Sequence, residues 1–430
     1  MLTITLNSHY LTIKKLINMP NERFIPYRKQ DIVEMCSQEL MNESTTLSFQ
    51  QFCQLLSSVM HFDYHELLES LKNNYAPFDP NSDTKQLETL SLAEQEQCQA
   101  AFADNFSKIL NAANFEKVTE QDLKEALTEE SLFKVRLEVE FDDFEQVVFY
   151  RRGESQLSET ITSLWGLRKQ TINFTNYDRV AVYITFKDKA YFAQKKKQPF
   201  GYEPSSTIIK LFQNVPKADL EMLFPNSEVR MRPIDKAIIG ASAMVGGTVV
   251  LVTKLGASLL ILWALIAFWL GWRSESVAMT QQHFISLGLG IAIFSGFVFK
   301  EWSKFKNRKI KFMKALSDNL YFKSLDNNAG VFHTLIDAAE EEDFKEVLLA
   351  YTFLLNSEEG LSKSALDEKI EAWFMSKYNC HLDFEISDAI EKLERMQLVT
   401  FKGDIYQAIS LAQAKQHLDK RWDSLFQYSQ

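Results

Sequence analysis

The sequence has few cysteines, and none of them is spaced for a disulfide framework or a zinc site. The four cysteines are scattered along the chain: Cys36, Cys53, Cys98 and Cys380. Small secreted domains use dense, regularly spaced cysteines, and structural zinc sites use close cysteine pairs. We therefore predict free thiols in a protein of a reducing compartment.

The chain also lacks the short motifs that assign a reaction. It has no P-loop, dinucleotide fingerprint, nucleophile elbow or zinc-protease motif. His61 and His65 are four residues apart and would share a helix face, but two ligands do not complete a metal site. The charge run at residues 340–343 is interpreted as the solvated face of a helix. No catalytic residue, cofactor or metal ligand is assigned, and an enzyme is the less favoured class.

What the chain does contain is two long apolar segments, residues 238–272 and 284–299. The first carries one charge, Lys254, and neither contains an acidic residue. A buried core helix is seldom so long and apolar, so the segments predict membrane spans at about 249–271 and 283–300. Ion and proton pathways usually need ionisable residues within the membrane, so a transporter component is a less favoured function.

The first apolar segment is longer than one membrane crossing requires. Its 35 residues would form a helix of about 52 Å, against a hydrocarbon core of roughly 30 Å. Either one long helix extends beyond the membrane, or the chain bends near Gly246 and Gly247. A third alternative divides the segment at Lys254 and gives three spans. We favour two spans, because Lys254 can then reach the headgroups and Trp269 lies at the opposite interface.

Basic residues flank the two predicted spans on their outer sides. Residues 230–236 contain three cations, and residues 300–323 contain 8 basic and 2 acidic residues, whereas the connecting loop, 273–283, holds one Arg and one Glu. The positive-inside rule then predicts a hairpin with both termini in the cytoplasm. The basic segment is also a candidate contact for anionic lipid. Its candidate lipid-binding residues are Lys300, Lys304, Lys306, Arg308, Lys309 and Lys311.

The second predicted span has small residues at helical spacing. Gly288, Ala292 and Gly296 are each four residues apart and would form a shallow face on one side of a helix. Small residues allow a second helix to approach closely within the membrane. We predict that this face packs against the first span or against another copy of the chain, which would make a homo-oligomer.

The remaining sequence predicts an α+β membrane protein, with polar segments before and after the hairpin along the chain. Apolar residues recur at three- and four-residue steps in residues 1–130, which predicts a helical domain. Residues 131–236 contain alternating and β-branched runs and predict a small α+β module beside the membrane. The hairpin occupies 237–300, and a basic helix with a second helix follows over 301–358.

Residues 359–430 predict a winged-helix-like domain. Two helices, a hairpin at about 398–409 and a last helix follow one another. Such domains often bind DNA, but residues 361–430 have 9 basic and 11 acidic residues. The second helix, which would face DNA, carries Glu385, Asp388, Glu391 and Glu394. Attraction to phosphates dominates DNA affinity, so no nucleic acid is expected and a protein partner is favoured.

Several ordered strings resemble an uncharacterised membrane family, the one that includes transmembrane protein 143. They are FYRRG at 149–153, WGLRK at 165–169, KLF at 210–212, PKADLEML at 216–223, RMRPIDK at 230–236, TKLGA at 253–257, NRK at 307–309, DNLYF at 318–322 and DNNAG at 326–330. The resemblance covers roughly residues 130–360 and implies a two-span membrane protein with no assigned reaction. Relatives occur in bacteria, plants and animal mitochondria. Because no convincing transit peptide is present, we expect a bacterial inner membrane rather than a mitochondrial one.

Two functional hypotheses follow from the sequence. The first is a membrane-anchored scaffold whose winged-helix-like tail recruits a cytoplasmic protein. The second is a lipid-binding or lipid-sensing protein that acts through the basic segment after the second predicted span.

Overall fold

A computed structural model of the chain describes residues 14–15, 23–40, 43–82, 90–119, 121–123, 136–163, 168–196, 203–230, 256–272 and 280–426, with isolated positions at 84, 87, 241, 244 and 248. The chain forms two compact units. The first comprises residues 1–129, 141–220 and 323–430, and the second comprises 130–140 and 221–322.

The helices in the described part of the chain are α1 (Lys29–Leu40), α2 (Glu43–Tyr75), α3 (Leu92–Ala112), α4 (Lys189–Gln194), α5 (Gly256–Trp269), α6 (Gln281–Lys323), α7 (Ala329–Leu355), α8 (Lys363–Tyr378), α9 (Ile386–Arg395) and α10 (Leu411–Asp423). The strands are β1 (Lys14–Lys15), β2 (Glu116–Lys117), β3 (Arg136–Glu138), β4 (Phe144–Ser163), β5 (Arg168–Phe186), β6 (Thr207–Pro216), β7 (Glu228–Arg230), β8 (Ser324–Asn327), β9 (Val399–Lys402) and β10 (Ile405–Ala408). This mixture of helix and sheet confirms the α+β class.

An antiparallel sheet of six strands lies in the first unit. Its order is β1–β4–β5–β6–β8, and β2 also pairs with β4. Residues 180–184 of β5 are at most 5% exposed. The alternation of polar and apolar residues is therefore absent there, because both faces of this central strand are covered. The β-branched and aromatic run at 179–186 correctly predicted a strand.

The longest strand pair contains a turn prediction that was wrong. The sequence at 151–153 predicts a turn after a short strand, but β4 continues through it to Ser163 and pairs with β5 along its length. Gly153 has a φ of +70° within the strand. A Cβ at this position would lie 2.7 Å from Asp178 Oδ2. The glycine therefore provides a local kink and a close approach between strands, rather than a chain reversal.

Two buried apolar clusters fill the first unit, and α2 and α7 pass through both. In the first cluster, Phe52 stacks on Tyr351 with ring centroids 4.5 Å apart. In the second, Tyr75 meets Phe332 edge to face at 5.2 Å. The N-terminal half of α2 thus faces the C-terminal half of α7, so the two helices run in opposite directions.

The C-terminal tail contributes to the first apolar cluster. The predicted order of two helices, a hairpin and a last helix is observed as α8, α9, β9–β10 and α10. Leu361 forms an isolated bridge with Tyr406, which ties the start of the tail to its hairpin. Buried residues of α8, α9 and α10 share this cluster with those of α1, α2 and α7. The domain boundaries given above remain predictions.

The second unit contains the apolar helices α5 and α6. One helix of the described chain, α6, has a segment long and apolar enough to cross a membrane, Gln281–Lys304, by length and composition. Only 6% of its most apolar window is buried. This matters because the core helix of a soluble protein would be mostly buried. The whole of α6 has 43 residues, which corresponds to about 64 Å.

The first predicted span lies partly outside the described residues. The structure describes its C-terminal part as α5, followed by a turn at Leu270 and Gly271. Residues 249–255 and the proposed bend at Gly246 and Gly247 are outside the described part. The choice among a long helix, a bend and three spans therefore stays open.

Candidate functional site

The antiparallel packing of α2 and α7 brings a run of acidic residues into the first unit. The prediction of a solvated helix face at residues 340–343 was wrong for its second half. Glu342 is 4% exposed and Asp343 is 3% exposed. These residues lie between the two apolar clusters, where α7 continues into the buried residues Phe344 and Val347.

A buried lysine is the centre of an ionic cluster at this position. Lys392 of α9 places Nζ 2.5 Å from Asp343 Oδ1 and also pairs with Asp388 one helical turn away. The hydroxyl of Tyr64, from α2, donates to the other oxygen of Asp343. Three helices are thus joined by charged and hydrogen-bonded side chains rather than by apolar contacts alone.

Glu346 extends the cluster one turn further along α7. It is 2% exposed, and its Oε1 accepts a hydrogen bond of 3.1 Å from Asn114 Nδ2. The same amide donates to the carbonyl of Arg23 at 3.0 Å. Asn114 adopts a φ of +56°, which asparagine tolerates better than most residues. This turn after α3 therefore orients the amide towards the carboxylate.

Burial sets the protonation of this cluster. It raises the pKa of Asp343 to about 6, although Lys392 and Tyr64 counteract part of the effect. Burial likewise holds the pKa of Glu346 well above its ordinary value, against the opposing attraction of Lys392. For Lys392 burial alone would lower the pKa, but the neighbouring carboxylates outweigh burial and raise it. The lysine is therefore charged at neutral pH, whereas Glu346 is favoured in its neutral form.

A second buried pair fastens the chain before α1. Lys345 Nζ lies 2.7 Å from Glu342 Oε1 and donates to the carbonyls of Ile25 and Tyr27 at 2.8 and 3.0 Å. Glu342 accepts from the backbone amide of Ile25 at 3.0 Å. Because both charged side chains use their remaining hydrogen bonds on backbone groups, their burial is compensated.

An open cavity of about 970 Å³ is lined in part by Lys392, Asp343 and Asp388. Arg421 closes one side through two hydrogen bonds to Asp63, of 3.0 and 2.8 Å. The lining combines apolar side chains of α2 and α3 with charged ones of both signs. Its charged residues are Arg23, Asp63, Glu66, Lys108, Asp343, Glu385, Asp388, Glu391, Lys392, Arg395 and Arg421. This size and composition suit a small polar ligand.

The acidic cluster fits a metal ion poorly. Oxygen atoms of Asp343, Glu346 and Asp388 lie within 4.8 Å of one another. However, the ammonium of Lys392 is bonded to two of these three carboxylates and occupies the place of a cation. His61, one of the two histidines considered as metal ligands in the sequence, contacts a carboxylate. Its Nδ1 lies 2.8 Å from Glu340 Oε2.

The predicted membrane and lipid residues lie on α6, away from this cluster in sequence. Gly288, Ala292 and Gly296 are exposed, and a Cβ at either glycine would meet nothing within 4 Å. Lys300, Lys304 and Lys306 are also exposed, and Arg308, Lys309 and Lys311 belong to α6 with side chains outside the described part. Packing at the glycines and lipid contact at the lysines remain predictions.

Sequence reasoning missed Tyr64, Asn114, Glu346 and Lys392 as members of one site. A signal was available for Glu346, because it lies among the buried apolar positions of α7 rather than opposite them. No local pattern identifies Tyr64 or Asn114. Their role depends on the packing of α2 and of the turn after α3 against α7.

Residues 177–330 match a family described as a protein of unknown function (DUF3754). The matched range contains α5 and α6 but none of the residues that line the cavity. No solved structure gives a significant match to the chain.

Proposed function

We propose that the protein is a membrane-anchored interaction protein. The observation that supports this most is the exposed apolar segment of α6, Gln281–Lys304. An apolar surface of this extent is unfavourable in water and favourable in a bilayer. With the apolar helix α5 it would form a two-span hairpin, as the resemblance to the transmembrane protein 143 family also implies. The basic flanks favour an orientation with both termini in the cytoplasm. The membrane in this proposal is a bacterial inner membrane.

The tail offers the partner-binding surface in this proposal. Phe401 and Ile405 flank the turn between β9 and β10 and are 66% and 42% exposed. The two strands hold them rigidly, because their register pairs Ile405 with Lys402 and Tyr406 with Phe401. Exposed aromatic and aliphatic side chains on a fixed hairpin are typical of residues that anchor a protein partner.

The test compares the full chain with a Phe401→Lys, Ile405→Lys variant, both in lipid nanodiscs. Proteins retained from the host cytoplasm are quantified by mass spectrometry. We expect a partner bound in stoichiometric amount by the wild type and lost from the double variant. Leu92→Lys is the control, since Leu92 is an 80% exposed residue on α3. The same retained proteins in all three samples would contradict the role of the hairpin.

A second function, anionic lipid binding, has an observation of its own. Lys300, Lys304 and Lys306 are exposed immediately after the apolar segment, and Lys306 Nζ lies 5.4 Å from the ring centroid of Trp302. Cations and tryptophan together at the end of a span are typical of a headgroup interface.

The second function is tested by measuring how many anionic lipids remain bound to the protein. Nanodiscs of mixed zwitterionic and anionic lipid are prepared, and lipids that remain bound after delipidation are counted by native mass spectrometry. Lys304→Gln, Lys306→Gln should retain fewer anionic lipids than the wild type. Lys369→Gln, Lys420→Gln removes the same charge from α8 and α10 and should change nothing. Equal loss in both variants would argue against a headgroup site.

A further inference from the structure

Histidine and carboxylate side chains follow one side of the contact between α2 and α7. On α2, His61, His65 and Glu69 are each four residues apart, so they share a face of the helix. His61 Nδ1 lies 2.8 Å from Glu340 Oε2, which shows where this face meets α7. Because the two helices are antiparallel, the residues that follow His61 on α2 lie near those that precede Glu340 on α7.

Two further side chains that can bind a metal ion precede Glu340 on α7. His333 and Asp337 are four residues apart and therefore lie one turn apart on the same side of the helix. Continuing the antiparallel register from the contact at Glu340 places Asp337 next to His65, and His333 next to Glu69. Each helix thus contributes a pair of side chains, and the two pairs are neighbours across the contact.

The electrostatics of Glu69 support this register. Its pKa is lowered first by the hydrogen bond and charge of Lys72, and further by the charges of His65 and His333. One ring from each helix therefore lies within electrostatic range of the same carboxylate. The contact of 2.8 Å between Lys72 and Glu69 joins two largely exposed side chains. Such a pair contributes little free energy, so a metal ion can displace the ammonium.

The other three side chains are available for a ligand. In the part of the chain that the structure describes, His65, His333 and Asp337 are exposed and form no hydrogen bond or ion pair. The backbone beneath them is fixed, because α2 and α7 both pack into the two buried apolar clusters. Free side chains on a rigid backbone lower the cost of ordering a site when an ion binds.

Two imidazoles and two carboxylates form a ligand set for zinc. Zinc takes four nitrogen, sulfur or oxygen ligands in a tetrahedral arrangement, and neutral imidazole suits it. Magnesium and calcium prefer oxygen ligands throughout. We propose that the chain binds one zinc ion between α2 and α7, through two residues of each helix. The ligands are His65, Glu69, His333 and Asp337. This site is independent of the proposed membrane anchoring and of the hairpin surface.

Zinc binding to the full chain tests the proposal. The protein is purified with a tag that contains no histidine, placed in nanodiscs of zwitterionic lipid, and titrated with zinc in competition with a chromophoric chelator. We expect one zinc ion per chain, with an affinity about tenfold or more weaker in His65→Ala, His333→Ala. His381→Ala, His417→Ala is the matched control, because both histidines are exposed and lie in the tail. That control should bind zinc as the wild type does.

A second measurement shows whether the ion stabilises the folded chain. Zinc should raise the urea midpoint of unfolding in the wild type and the control, but not in His65→Ala, His333→Ala. Equal shifts in all three proteins would contradict a site between α2 and α7.

Three results of the titration would overturn the proposal. These are no more zinc bound by the wild type than by empty nanodiscs, equal affinity in the site and control variants, or displacement of zinc by an equal concentration of magnesium. The single variant Asp337→Asn covers the case in which the double variant does not fold. Asp337 is exposed, so the fold is retained and a several-fold weaker affinity is expected. Unchanged affinity in Asp337→Asn would equally contradict the assignment.

Discussion

At the scale of single residues, Lys392 explains how three acidic side chains can coexist between two apolar cores. Its side chain is 9% exposed and contacts Asp343 and Asp388. A buried ion pair contributes little relative to an apolar pair of the same shape, but removing one partner leaves an uncompensated charge. We therefore expect the cluster to fix the relative positions of α2, α7 and α9 rather than to add much to the free energy of unfolding.

The first prediction concerns this lysine. Lys392→Met should lower the free energy of unfolding by about 3 kcal/mol, because Asp343 and Asp388 lose their cation. The measurement is urea unfolding of the detergent-solubilised chain followed by circular dichroism. Lys369→Met on the exposed face of α8 serves as control and should change stability by less than about 0.5 kcal/mol. Equal stability of both variants would show that the cluster is not formed.

The second prediction concerns pH. Burial raises the folded-state pKa of Asp343 to about 6, above the value of about 3.9 expected in the unfolded chain. Between these values the folded chain binds a proton that the unfolded chain does not, so stability should rise as the pH falls from 7 to 5. For one proton the slope is at most about 1.4 kcal/mol per pH unit.

Asp343→Asn should reduce this slope, whereas Asp419→Asn, at an exposed position of α10, should leave it unchanged. The readout is the urea midpoint at each pH. Part of the slope should remain in Asp343→Asn. The pKa of Asp367 is also raised to about 6, by burial and by Glu371, Asp383 and Glu368. A steeper slope in Asp343→Asn than in the wild type would contradict the assignment.

At the scale of elements, the features predicted correctly from the sequence are those that depend on the local periodicity of apolar residues. The helical spacing of Phe332, Leu335 and Val347 predicts one apolar face for α7, and all three residues are buried. Glu342 and Asp343 of α7 were misassigned for the same reason. Periodicity reports which positions face inward, but the ion pair between Asp343 and Lys392 joins residues that are distant in sequence.

The long hairpin of β4 and β5 shows a second limit. Arg151, Arg152 and Gly153 have turn composition, yet they lie inside a strand. Arg152 is partly buried, and its guanidinium carbon lies 5.3 Å from the ring centroid of Phe24 and 5.1 Å from that of Phe115. Contacts with an aromatic pair from elsewhere in the chain overrode the local preference, and a single sequence does not reveal such contacts.

The third prediction tests the kink at Gly153. Gly153→Ala places a Cβ 2.7 Å from Asp178 Oδ2 at a φ of +70°, so both a steric and a backbone cost arise. We expect a loss of about 2 kcal/mol in the free energy of unfolding. Gly403→Ala is the control, because it has a φ of +63° but nothing within 4 Å. Its loss should be about 1 kcal/mol. Equal losses would show that the contact with Asp178 imposes no constraint.

At the scale of the whole molecule, the two units contain different candidate functional features. The first unit holds the sheet, both apolar clusters and the cavity. The second holds α5 and the apolar part of α6. The family match covers the apolar segment of α6 but not the cavity residues. Sequence composition identified the apolar segments because a run of apolar residues is a local property, whereas the cavity requires helices from both ends of the chain.

The membrane hairpin is the central claim, and thiol labelling tests it most directly. Cys98 is a partly exposed natural thiol in the first unit, whereas Cys36, Cys53 and Cys380 are buried. Ser276→Cys, in a Cys98→Ser background, adds a thiol to the loop between the two predicted spans. A membrane-impermeant maleimide is applied to bacterial spheroplasts before and after lysis. The hairpin predicts that the loop thiol is labelled in intact spheroplasts and Cys98 only after lysis. Labelling of both thiols only after lysis would contradict a membrane-spanning hairpin.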